Sequence, residues 1–157
     1  RRIGILTGPL TLHCSRDRLE GFRRALERHG LAVDPELVVE GDFERRSGYE
    51  GARVLMSRTP PPTAIFACND LMAIGALRYL HEQVYRVPQE VSLVGFDDLP
   101  AAQDLQPPLT TVRQPLYAMG QRAAYMLLGW LREGSVPDSV VMSTELRIRG
   151  STGPPGA

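Results

Sequence analysis

The chain alternates short β-branched runs with longer amphipathic stretches, and that rhythm leaves few folds open to it. Ile3 to Thr7 reads as a strand. A loop follows, then a helix over residues 15–29 capped by Ser15, in which Leu19, Phe22 and Leu26 share one face and Gly30 is a natural C-cap. Residues 37–40 read as a second strand. Ser47-Gly48-Tyr49-Glu50 fits a capping box opening a helix that Ala52, Leu55 and Met56 continue. Pro60-Pro61-Pro62 stops that helix, and residues 63–67 read as a third strand. A helix over 70–83 and a strand over 91–95, preceded by Pro88, complete the series. Such alternation predicts an α/β fold, a parallel sheet with helices on both faces. Beyond residue 97 the rhythm changes. A Pro-containing loop leads through Thr110-Thr111-Val112 to a helix over 116–132 and a last strand over 139–149, with residues 153–157 read as a disordered tail.

A length of 157 residues suits one domain with a real core, and 43% hydrophobic with 23% charged residues argues against disorder. The net charge is zero, and all 18 basic residues are arginines scattered along the chain, so no basic patch suggests that this segment grips phosphates. No apolar run has the length to span a bilayer and no signal peptide opens the chain, which predicts no membrane and a cytoplasmic protein. The start at Arg1-Arg2-Ile3, without methionine, reads as a fragment or a processed product. Cys14 and Cys68 lack metal or redox spacing, so reduced thiols are expected, with a Cys14–Cys68 disulfide as the alternative.

In open α/β sheets, ligands bind beyond the carboxyl ends of the strands. Polar groups follow each predicted strand here: the loop from Gly8 to Ser15, then Asp42-Phe43, Asn69-Asp70 and Asp97-Asp98. Carboxylates accept hydroxyl hydrogen bonds, Asn both gives and takes, Arg donates in a fixed fork, and a ring such as Phe43 covers an apolar face. Each residue also has a plainer reading. Asn69 or Asp70 caps a helix, Asp98 caps a turn over 99–105, and Phe43 folds onto the surface. Cys68 reads as inert core, and His13, His29 and His81 have no metal spacing. Arg18 lies in a first helical turn, where the dipole disfavours cations, on the side that leads into Leu19 and Phe22; a ligand role is the stronger reading. An enzyme would make Asp97-Asp98 an acid or metal site, but no P-loop, nucleophile elbow or His/carboxylate cluster completes a mechanism, so no catalytic residue, metal or cofactor is expected.

Leu93-Val94-Gly95-Phe96-Asp97-Asp98, followed by Pro107-Pro108-Leu109-Thr110-Thr111-Val112-Arg113-Gln114-Pro115, resembles the C-terminal signature of LacI/GalR-type regulators. Arg18-Leu19-Glu20-Gly21-Phe22, Glu40-Gly41-Asp42-Phe43 and the stretch from Ala64 to Gly75 are similar to upstream segments of that family, in order and at compatible spacing over residues 1–152. The resemblance implies a periplasmic-binding-protein-like lobe that takes a small effector, a sugar or polyol first, with a nucleobase or phosphorylated sugar open. It implies effector contacts at Arg18, Asn69, Asp97 and Gln114, an aromatic contact at Phe43, and a pocket edge at Leu12 and Cys14. Leu116 stands where some members carry an aromatic. It further implies a homodimer surface with Met72, Ile74, Arg78 and Leu105. Residues 1–115 would form the C-terminal lobe, 116–137 a crossover helix belonging to a missing N-terminal lobe, and 138–152 a return to the first lobe. Operator DNA would be bound only through a headpiece absent from this chain. A free periplasmic sugar-binding protein is the alternative with the same fold.

Overall fold

A computed structural model describes residues 2–134, 136 and 138–154. Six strands form one sheet: β1 (Ile3–Thr7), β2 (Val38–Glu40), β3 (Ala64–Ala67), β4 (Ser92–Asp97), β5 (Thr110–Arg113) and β6 (Glu145–Arg147). Their order is β2-β1-β3-β4-β5-β6, with every pairing parallel except β5–β6. Among the described residues four α-helices accompany them: α1 (His13–Arg28), α2 (Arg45–Met56), α3 (Asp70–Glu82) and α4 (Leu116–Glu133). Ile5 and Leu6, adjacent in β1, are both fully buried, which requires cover on both sheet faces. Leu6 meets α2 at Gly51, and α1 packs on the other face through Leu19 and Leu26. The chain leaves β1 towards β2 and then returns past β1 to β3. The strand order therefore reverses beside β1, and a crevice opens at the carboxyl ends there.

Helix starts differ from the sequence reading. Helix α1 begins two residues earlier, after Leu12, and Ser15 is buried inside it instead of capping it. The expected capping box at Ser47 does not form. Asp42 Oδ1 accepts from the Glu44 amide, which starts α2 at Arg45, and Ser47 Oγ donates back to the Glu44 carbonyl. Because α2 is under way from Arg45, the amides that Ser47 would have capped lie inside the helix, and the local turn at Asp42 decides the start instead. The last strand has three residues instead of the eleven expected. The expected tail also begins later, since the Gly153 amide donates to Ser92 Oγ; residues 155–157 lie outside the described residues.

Helix α4 buries none of its residues, and Tyr117 and Leu131 are 84% and 72% exposed. Leu116, Met119, Leu127, Leu128 and Trp130 are exposed as well. No helix is long and apolar enough to cross a membrane among the described residues.

The tightest packing lies between α2 and α3. A Cβ on Gly48 would sit 2.1 Å from the Met72 carbonyl oxygen, and one on Gly75 would sit 1.9 Å from that of Arg45. Met72 is fully buried by this approach and cannot contribute to a surface with Ile74 and Arg78, a correction to the expected dimer face. Gly48→Ala must push the helices apart, at a cost of roughly 1–3 kcal/mol or more. Urea denaturation should show that loss as a lower midpoint.

Candidate functional site

At the carboxyl edge beside β1, groups from four strand ends meet. Arg18 Nη1 donates to the Cys68 carbonyl at the end of β3, and Nη2 lies 4.0 Å from Asp97 Oδ1. Its guanidinium stacks on Phe96, 3.9 Å from the ring centroid, and stands 6.0 Å from that of Phe43. Because α1 starts at His13, Arg18 lies in its second turn and not in the first as expected, and its guanidinium is held by a carbonyl, a carboxylate and a ring. Gln114 Nε2 donates to Asp97 Oδ1 at 2.7 Å, and Oδ2 of that carboxylate has no donor among the described residues. Burial pushes the Asp97 carboxyl above its ordinary value, with the Gln114 hydrogen bond and Arg18 opposing the shift. Arg18, Asp97, Gln114 and Phe43 therefore come together, as the sequence analysis expected.

Asn69 reaches the same edge in a different capacity. Its Oδ1 accepts from the Met72 amide, capping α3, and its Nδ2 donates to the Phe43 carbonyl at 2.8 Å. That second bond anchors the loop in which Phe43 adopts φ +70, while the Phe43 ring lies against Gly8, where a Cβ would stand 2.0 Å from it. Leu12 and Cys14 are exposed at the head of α1. The loop before them is pinned by Arg16, which donates to the Leu10 and Thr11 carbonyls, and by Glu40, which accepts from the Leu10 amide. Both cysteines are free, and burial pushes the Cys68 thiol up to about 12. Two fully buried hydroxyls, Thr7 Oγ1 and Ser15 Oγ, have no hydrogen-bond partner among the described residues.

Sequence reasoning misread Asp98 and missed its partners. The turn Pro100–Ala102 has Leu99 at its N-cap, and the Leu99 amide donates to Asp70 Oδ2 at 2.8 Å. Asp98 turns inward and takes Arg149 on Oδ1 and Arg113 on Oδ2. Burial pushes its carboxyl up, but the hydrogen bonds from Arg149 and Arg113 outweigh that and hold it below its ordinary value. Asp70, fully buried, also accepts from Thr111 Oγ1 at 2.6 Å, and burial raises its carboxyl. No periodicity signals these bonds, which join residues 15 to 51 positions apart. Among the described residues no group of three His, Cys, Asp or Glu could hold a metal ion.

A second concavity, of about 440 Å³, lies outside this edge between α2 and α3, lined by Arg45, Arg46, Tyr49, Ile74, Gly75 and Arg78. Arg78 and the Tyr49 hydroxyl both donate to Glu82, and Leu105 borders an adjoining hollow with Ile74 and Arg78.

Residues 1–152 match the family described as periplasmic binding protein-like domain. The HTH-type transcriptional repressor CytR of Escherichia coli (strain K12) is 40% identical over 153 residues, 97% of this chain and 45% of that protein. The structure of the transcriptional regulator CelR in complex with cellobiose superposes with a TM-score of 0.93 at 39% identity, covering 96% of this chain and 46% of CelR. A Lac repressor dimer bound to operator and the anti-inducer ONPF gives a TM-score of 0.88 at 32% identity, over 96% of this chain and 52% of the repressor. This chain thus spans about half the length of the regulators it matches. It belongs to the periplasmic binding protein-like domain family, in the branch that forms the effector-binding part of LacI-type regulators.

Proposed function

We propose that this chain is the effector-sensing lobe of a cytoplasmic LacI-type regulator. It binds a small, hydroxyl-rich molecule at the edge formed by Arg18, Asp97, Gln114 and Phe43. The Asp97 carboxylate carries the reading. It is half-buried at the carboxyl end of β4, one strand from the switch point, is already ordered by Gln114, and retains an oxygen that accepts no donor among the described residues. Phe43 supplies an apolar surface beside it, and Asn69 holds the Phe43 loop in place. Leu12 and Cys14 border the mouth. A sugar or polyol suits this set, because a paired carboxylate and guanidinium recognise neighbouring hydroxyls on an uncharged ring. Cellobiose in the CelR complex is a ligand of that class.

The opposite wall of the cleft would come from an N-terminal lobe, to which residues 116–137 would cross; Ser135 and Pro137 within that span lie outside the described residues. The unburied apolar side chains of α4 support this division. Ile74, Arg78 and Leu105 would contribute to a homodimer surface, and operator contact would fall to a headpiece elsewhere in the regulator. No step of this function calls for a cofactor or catalysis.

Two measurements test the proposal. In the full-length regulator, a sugar bound at about a hundred times its dissociation constant should stabilise the fold by roughly 2.7 kcal/mol in a thermal-shift screen. Asp97→Ala should abolish that shift while the protein stays folded; loss of folding would make Asp97 a structural residue. The shift should also fade on acidification. Asp97 titrates above 3.8 when folded, so ionising it costs the unliganded fold stability as pH rises from 3.8 through the raised value. A donating hydroxyl offsets that cost only while the carboxylate is ionised, and ligand stabilisation should therefore decline as pH falls through the same window.

The second measurement concerns α4. Each exposed Leu or Met forgoes about 1.5–3 kcal/mol of burial. Residues 1–157 expressed alone should therefore associate as concentration rises in light scattering. A strictly monomeric chain with α4 packed on its own sheet would remove the crossover assignment.

A further inference from the structure

Asp97 and Asp98 are consecutive and both adopt positive φ, 117° and 58°, a region that L side chains rarely occupy. Such a conformation persists only where surrounding contacts over-determine it. The contacts are on Asp98. Its side chain is 1% exposed and accepts from Arg149 Nη2 and Arg113 Nε, each at 2.5 Å. The two arginines are unequal. Arg113 is 43% exposed, whereas Arg149 is 16% exposed and fixed at further points. Arg149 Nη1 donates to the Leu109 carbonyl, and its amide donates to Thr110 Oγ1. Two residues on, Ser151 Oγ donates to the Leu93 carbonyl and accepts from the Thr110 amide, while the Leu93 amide donates to the Ser151 carbonyl. The segment after β6 is therefore a strap stitched to both β4 and β5, and Arg149 projects from it as a rigid post.

We infer that Arg149, acting through Asp98, is a positioning residue that holds the Asp97 carboxylate in its ligand-accepting orientation. With Asp98 drawn towards the strap, its neighbour Asp97 stands towards Arg18 and Gln114. Without Arg149, the more exposed Arg113 alone would restrain two residues of unfavourable backbone, and Asp97 would lose its fixed direction. The inference rests on the reading of Asp97 as an effector group, so its test includes a measurement that needs no ligand.

The full-length regulator would be prepared as wild type, Arg149→Met, Arg149→Gln and Arg149→Lys. Hydrogen exchange would follow the Leu99 amide, which is held by Asp70 and lies one residue beyond the clamp. Exchange at Leu99 should quicken about tenfold or more in R149M, with β1 and β3 unchanged and R149K restoring protection. R149Q keeps a polar stem and serves where R149M does not fold. D-cellobiose, D-ribose and adenine would be titrated in parallel. Whichever binds the wild type should lose about tenfold in affinity with R149M and regain it with R149K. Unchanged exchange at Leu99 overturns the clamp, as does equal acceleration throughout the sheet. A loosened Leu99 with undiminished probe affinity overturns the positioning role. Local acceleration with K rescue supports the clamp even where none of the three probes binds the wild type, and that failure counts against the effector reading alone.

Discussion

A single buried carboxylate ties the candidate edge together. Asp70 begins α3, yet its two oxygens serve elements far from that helix: Thr111 in β5 and the Leu99 amide after β4. Burying an ionised group is expensive unless strong donors surround it, and the raised titration of Asp70 records that expense. In return the carboxylate fixes one helix, one strand and one loop against each other. Gly95 is a necessary companion, since a Cβ there would stand 2.2 Å from Asp70 Oδ1. The glycine in Val94-Gly95-Phe96 thus belongs to the carboxylate's packing as much as to the strand.

The parallel core was legible because its signals are local. Alternating apolar runs such as Ile3 to Thr7 and Ala64 to Ala67 name their own structure, and helices between them imply parallel pairing, whereas the strand order β2-β1-β3-β4-β5-β6 is given only by the structure. Helix starts were less legible because competing local bonds decide them. Asp42 captured the Glu44 amide before Ser47 could act as a cap, and Ser15 went into the core behind Leu12. The final strand was read over residues 139–149, yet only Glu145–Arg147 pair. Its pairing partner is β5, more than thirty residues away, and nothing near residues 139–144 announces where pairing stops.

The site divides the same way. Asp97 could be picked out because a carboxylate at a strand end is locally anomalous, and Arg18 because it lies on the helix side leading into Leu19 and Phe22, although the first-turn position expected for it was displaced when α1 began at His13. Asn69 was visible but ambiguous, and the structure gives it two protein partners, so its amide group is engaged in holding the Phe43 loop and the helix end. Asp98 looked like a turn cap because its partners, Arg113 and Arg149, carry no pattern that points back to it. Long-range ion pairs of this kind are geometry without periodicity, and a single sequence does not display them.

The antiparallel pairing of β6 also has a temporal meaning. During synthesis the chain emerges from its N-terminus, so β1 to β5 and their helices are available before α4, β6 and the strap at 149–153 exist. Until then β5 is an open edge, Thr110 lacks Ser151, and Asp98 has lost one of its two cations. The strand-end loop that bears Asp97 is accordingly among the last parts of this lobe to acquire its final shape. A ribosome-bound chain that has completed the parallel core would still lack the finished edge around Asp97, which takes its shape only once the strap at 149–153 has emerged.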